Sequence, residues 1–148
     1  MKRAWEIFSD ALQELHEGEG VTTHAFVLMS NHYHWLCRYD FRSDPAIFEW
    51  FHEILNMPFL GENEEYTVAL ERDASIYEVK HIKQYQTLYR YIYQNPVKAG
   101  LAKRAEDYPF STLPALLGKT KKAFQCTDEM NLIYYPEKML DWINELSL

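Results

Sequence analysis

The chain has 148 residues, nearly half of them apolar or aromatic and a quarter charged, which suffices for one domain with a proper core and is too little for two ordinary ones. That composition excludes a disordered tail, and no apolar run approaches the length needed to cross a bilayer. Cys37 and Cys126 are too few for a disulfide framework, and the opening Met1-Lys-Arg-Ala-Trp-Glu-Ile-Phe8 has no apolar segment of the signal-peptide kind, so the expected compartment is the cytoplasm.

The net charge of −7 argues against a polyanionic partner until its distribution is read. Residues 80–122 hold nine of the fifteen Lys and Arg but two of the twenty-two Asp and Glu, an excess of seven positive charges inside an acidic chain. Such a segment suits a nucleic-acid binder. It equally suits a solvated helical surface paired with acids from elsewhere.

In chain order, Trp5, Phe8, Leu12 and Leu15 recur at helical spacing over residues 3–16, which predicts an amphipathic helix ended by Gly18 and Gly20. Residues 21–29 and 32–39 read as two short strands joined at Ser30-Asn31. Ser43-Asp44-Pro45 then starts a second helix with Ile47, Phe48, Phe51, Ile54 and Leu55 as its buried stripe, ended by Asn56-Met57-Pro58. Residues 66–70 fit a short strand or a helical turn, and residues 76–82 alternate as a further strand. A tyrosine-rich helix over residues 83–94 is stopped or kinked by Asn95-Pro96, with helical turns to follow over residues 97–103. A short helix over residues 109–117, a basic loop at residues 119–122 and a final amphipathic helix over residues 135–148 complete the chain.

The chemistry concentrates in two places. Strand side chains alternate between faces, so His32 and His34 share one face while Tyr33 and Trp35 take the other. Two imidazoles on a strand make two-thirds of a metal site, or else two ordinary hydrogen-bonded histidines, and a third ligand decides between them. On a helical wheel advancing about 100° per residue, Tyr85, Leu88, Tyr89 and Ile92 form the core face of the tyrosine-rich helix. Asn95 falls about 40° from Tyr91 one turn on, and Tyr93 lies on a different side. A phenol and an amide oxygen can thus share one cleft. With two imidazoles the oxygen leaves a divalent cation open to substrate oxygens, and a tyrosine can attack phosphorus to give a covalent intermediate. Because a free phenol titrates near about 10, it needs a metal, base or cation beside it; Lys80, His81 and Lys83 are near in sequence. Packing remains the other role open to Tyr91.

Met29-Ser-Asn-His-Tyr-His34 resembles the Met-Pro-Asn-His-x-His signature of the HUH single-tyrosine transposases. Tyr91-Ile-Tyr-Gln-Asn-Pro-Val-Lys-Ala-Gly-Leu101 is similar to the block that carries the nucleophile in their REP-associated branch, and Tyr108-Pro-Phe-Ser111 to the Tyr-Pro-Trp-Ser that follows it. The resemblance spans residues 5–115 of a single domain over residues 1–148, with a C-terminal helical extension at residues 116–148. It implies an α+β domain of HUH-endonuclease (ferredoxin-like) architecture, an antiparallel sheet with packed helices. Here the chain opens directly on a helix in place of the family's first strand, which would leave a sheet edge exposed. The resemblance further implies cleavage and joining of single-stranded or hairpin DNA with a divalent metal, Mg2+ or Mn2+. His32, His34 and Asn95 are its implied ligands and Tyr91 the nucleophile, with Lys80, Lys83, Arg90, Lys98, Lys103 and Arg104 as nucleic-acid contacts. Ser30 stands where the family has proline and Tyr93 where it has histidine. A domesticated relative that binds hairpins without cutting is the alternative, and a metal-dependent hydrolase of small phosphoesters a weaker one. No membrane partner is expected, and the sequence leaves monomer and homodimer both open.

Overall fold

The chain is described here by a computed structural model covering residues 1–56 and 76–146. It is an α+β fold: a two-stranded antiparallel sheet with helices packed on it. Among the described residues no helix is long and apolar enough to cross a membrane. The readings at residues 57–75, including the strand or turn at residues 66–70, lie outside the described residues.

Helix α1 (Lys2–Glu19) buries Phe8, Leu12 and Leu15 of the predicted stripe together with Ala4 and Ala11, and leaves Trp5 half-buried. It runs through Gly18 and ends at Gly20, whose φ of 72° lets its N–H turn back to the Leu15 carbonyl. Strands β1 (Thr22–Leu28) and β2 (Tyr33–Arg38) follow, paired Phe26 to Trp35, Val27 to His34 and Leu28 to Tyr33. The Met29 N–H donates to the His32 carbonyl at 2.8 Å and closes the turn over Ser30-Asn31. An irregularity between Thr23 and Ala25 leaves His24 without a partner residue on β2.

The expected open edge is not found at β1. The outer edge of β1 is covered by residues 110–112, through Leu28 N–H to the Phe110 carbonyl (2.9 Å) and Thr112 N–H to the Phe26 carbonyl (3.0 Å), with a bridge at Ser111. Tyr108 adds a hydroxyl bond to the Leu28 carbonyl at 2.6 Å. The segment similar to Tyr-Pro-Trp-Ser thus satisfies the backbone groups that a neighbouring strand would otherwise take.

Helix α2 (Pro45–Asn56) closes over one face of the sheet, with Phe51 fully buried and Ile47 and Phe48 half-buried. The side chains of Ile54 and Leu55 lie outside the described residues. Residues 76–80 are irregular, not a strand: Ile76 and Tyr77 are exposed, so their alternation has no sheet to serve. Helix α3 (Ile82–Lys98) is longer than expected because Pro96 does not stop it. Proline removes one donor, but its carbonyl accepts from Leu101 at 2.8 Å and that of Asn95 from Ala99 at 2.9 Å. The helix stops at Gly100, which takes a φ of 73°. The wheel is corrected at Tyr93, which is buried beside Tyr89 with its hydroxyl 2.7 Å from Thr112 Oγ1. The core sector of α3 is therefore wider than the apolar residues alone indicate.

A 3-10 turn (Ala105–Asp107) and helix α4 (Leu113–Leu116) lead to the basic loop, and α5 (Pro136–Asn144) packs back on α3. Gln94 Nε2 donates to the Ile143 carbonyl at 2.8 Å, and Asn144 receives the Ala105 N–H at 2.8 Å while donating to Glu106 at 2.9 Å.

Candidate functional site

Period-two alternation in β2 decides which side chains meet. Tyr33, Trp35 and Cys37 join the cluster under α1, whereas Leu36 faces α3 with Ala25 and Val27. His34 shares that second face and lies at the end nearest the turn, beside His32. The two imidazoles stand edge to face, 4.9 Å between centroids. The ring of Tyr91, from the middle of α3, stands edge to face against His34 at 5.6 Å. Residues 57 positions apart in sequence thus share one aromatic cluster, with Tyr91 44% exposed at its rim.

The polar atoms of this cluster are unevenly satisfied. His32 Nδ1 lies 2.6 Å from Asn31 Oδ1; a carbonyl oxygen only accepts, so Nδ1 is the donor in this contact and Nε2 points elsewhere. His34 Nε2 is buried and has no hydrogen-bond partner among the described residues. Burial, with His32 adding to it, holds the His34 imidazole neutral by pulling its pKa down to about 4. A neutral His34 ring with an orphaned nitrogen, beside a second imidazole, is a donor set that a transition metal takes.

Asn95 lies one turn beyond Tyr91 and turns its Nδ2 back to the Tyr91 carbonyl at 2.8 Å, which keeps Oδ1 as its remaining acceptor. Lys98 Nζ stands 5.4 Å from the centre of the Tyr91 ring. The chain matches no family model, no curated protein and no solved structure. The arrangement therefore stands on its own geometry.

The basic residues divide. Lys83, Arg90 and Lys98 line a groove of about 440 Å³ along α3 that has Tyr91 in its wall. Lys80 sits just before the helix, where its backbone N–H is capped by Gln84 at 2.8 Å. Lys103 is exposed beyond Gly100, and Arg104 is held at 2.6 Å by the buried Glu106. Sequence reading missed Asn31 as the group that orients His32. It also missed Trp142, which reaches the groove from α5. The cation beside Tyr91 is Lys98, which the sequence reading gives only as a nucleic-acid contact while naming Lys80, His81 and Lys83 as the near groups; nothing in the spacing points to Trp142.

Proposed function

We propose that this chain cuts and rejoins single-stranded DNA in the manner of the HUH single-tyrosine transposases that its two motif blocks resemble, and that its sheet and helices are a version of their architecture. The observation that carries this reading is the meeting of His32, His34 and Tyr91 in one cluster at ring separations of 4.9 and 5.6 Å. A structural histidine pair would have its nitrogens satisfied within the protein. Here one is buried and unpaired.

In this reading His32, His34 and Asn95 hold a divalent cation, Mg2+ or Mn2+. The third donor of this reading is the Asn95 amide oxygen, which the Nδ2 bond to the Tyr91 carbonyl leaves as an acceptor. When bound, the cation supplies Lewis-acid polarisation of a phosphodiester. The Tyr91 hydroxyl gives its proton to water and its oxygen attacks phosphorus; the bond to the 3′ oxygen breaks, and that oxygen takes a proton from water and leaves as a 3′-hydroxyl. The product is a 5′-phosphotyrosine that conserves a bond for rejoining. Lys98 places a cation where the phosphate oxygens lie. The working environment is the cytoplasm and the partner single-stranded or hairpin DNA.

The test is to incubate the full chain with end-labelled hairpin DNA and manganese and to resolve the products under denaturing conditions. A covalent adduct forms with the unaltered chain and is absent for Tyr91→Phe. Asn31→Ala, which frees His32 to turn, raises the manganese concentration needed for half-maximal adduct by about 10-fold, the size typical of ligand-orienting groups. An adduct that survives Tyr91→Phe, or no adduct at all, overturns the reading.

A further inference from the structure

The groove beside Tyr91 has a second wall that neither motif block supplies. Helix α5 lies outside the stretch that carries the resemblance, yet its Trp142 lines the groove opposite Lys83, Thr87 and Lys98. The Arg90 guanidinium lies over the Trp142 ring, 5.5 Å from its centroid. Its terminal nitrogen donates to the Glu145 carbonyl and stands 3.6 Å from the Glu145 carboxylate. Its Nε, by contrast, is buried and has no partner among the described residues. Neither Lys83 nor Lys98 forms a salt bridge among the described residues. Two ammonium groups without a salt bridge and a half-buried indole with a guanidinium over it therefore line one groove.

We infer that this groove holds a nucleotide of the strand on which Tyr91 acts, with its base stacked on the Trp142–Arg90 platform and its flanking phosphates met by Lys83 and Lys98, Arg90 adding its charge. This rests on the proposed function and makes α5 the base-contacting part of it. Stacking on an aromatic or guanidinium plane accepts any base, so the groove reads single-strandedness and not sequence. A duplex, whose bases are already stacked, gains nothing there.

The experiment uses the full chain carrying Tyr91→Phe, so that nothing is cut, and measures its affinity by fluorescence anisotropy for an oligothymidylate and for the same strand with abasic residues at its centre. The intact strand binds roughly 10-fold more tightly. Trp142→Leu removes that preference while keeping an apolar side chain against the core. Arg90→Lys, which keeps the charge and loses the plane, weakens the preference and covers the case in which Trp142→Leu does not fold. Lys83→Gln with Lys98→Gln weakens both strands alike and flattens the slope of log affinity against log salt by about 1.4. Equal affinity for the two strands, or a preference that persists in both platform variants, overturns this inference and leaves the Tyr91 chemistry standing. No binding to either strand overturns both.

Discussion

The two faces of the β1–β2 hairpin are built from alternate residues of the same strands, and they differ in how completely their groups are satisfied. On the α1 face, Phe26 and Tyr33 stack at 5.7 Å, Trp35 meets Phe51 at 4.5 Å and Phe26 meets Trp5 at 6.1 Å. On that face Trp35 Nε1 donates to Thr23 Oγ1 at 3.0 Å. On the α3 face, Ala25, Val27 and Leu36 pack against Tyr89 and Ile92, but the apolar filling stops near the turn. There His34 keeps an unpaired nitrogen beside Tyr91 and Lys98. One face is closed and stabilising. The other is closed at its centre and left chemically open at one end, where an outside ligand would complete it.

This contrast makes its largest prediction for a pair of variants. Phe26→Ala empties a fully buried ring site and costs about 3–5 kcal/mol of stability. Tyr91→Phe, at the open rim, changes stability by less than about 0.5 kcal/mol while abolishing the covalent adduct. Urea denaturation of both, beside the unaltered chain, checks it; a Tyr91→Phe loss approaching that of Phe26→Ala would mean that the rim is part of the packed core. Tyr93→Phe sharpens the division. Tyr93 stands where the resembling family has histidine, yet its hydroxyl bonds Thr112 inside the core. Thr112 Oγ1 keeps the Phe26 N–H as a second partner at 3.1 Å, so the loss is about 1 kcal/mol, with adduct formation unchanged.

What the sequence made legible follows from how local each signal is. Helix α1, the hairpin and its two faces rest on periodicities within a few residues, and the structure follows them. Residues 76–80 alternate just as regularly but have no sheet to join among the described residues, and alternation without a partner leaves Ile76 and Tyr77 in solvent. Pro96 is a strong local stop signal that tertiary context overrides, since Pro96 is buried and the helical bond from the Ala99 N–H to the Asn95 carbonyl forms past it. The cover over the β1 edge, the burial of Tyr93 and the approach of Trp142 to the groove each depend on segments more than fifteen residues away. Spacing along one element carries no information about them.

A smaller effect tests the closed centre of the α3 face through pH. His24 sits at the strand irregularity, 4% exposed, with Nδ1 2.7 Å from the Tyr85 hydroxyl. Burial lowers its pKa, partly countered by Glu129. The unfolded chain therefore takes up a proton at His24 at higher pH than the folded one. The neutral ring contributes its full stability above about pH 6.5 and loses it as pH falls toward the folded pKa. The melting temperature is expected to drop on acidification through this window, and His24→Gln to drop less. Parallel curves for the two proteins would remove His24 from the account and leave the centre of that face insensitive to protons.

The smallest effect lies at the open end. Glu145 is an exposed carboxylate whose 3.6 Å pair with Arg90 belongs to a class worth little to stability, so Glu145→Gln leaves the melting curve in place. Its charge nevertheless stands beside the one guanidinium that the groove offers to a phosphate, where it attracts Arg90 and repels the strand. Removing it should tighten binding of a single strand by about 2- to 3-fold at low salt, and the gain should vanish as screening shortens the reach of charge to a few ångströms. Weaker binding by Glu145→Gln would reverse the argument: the carboxylate would then be what holds Arg90 flat against Trp142, and the open end of this face would be more preorganised than its unpaired atoms indicate.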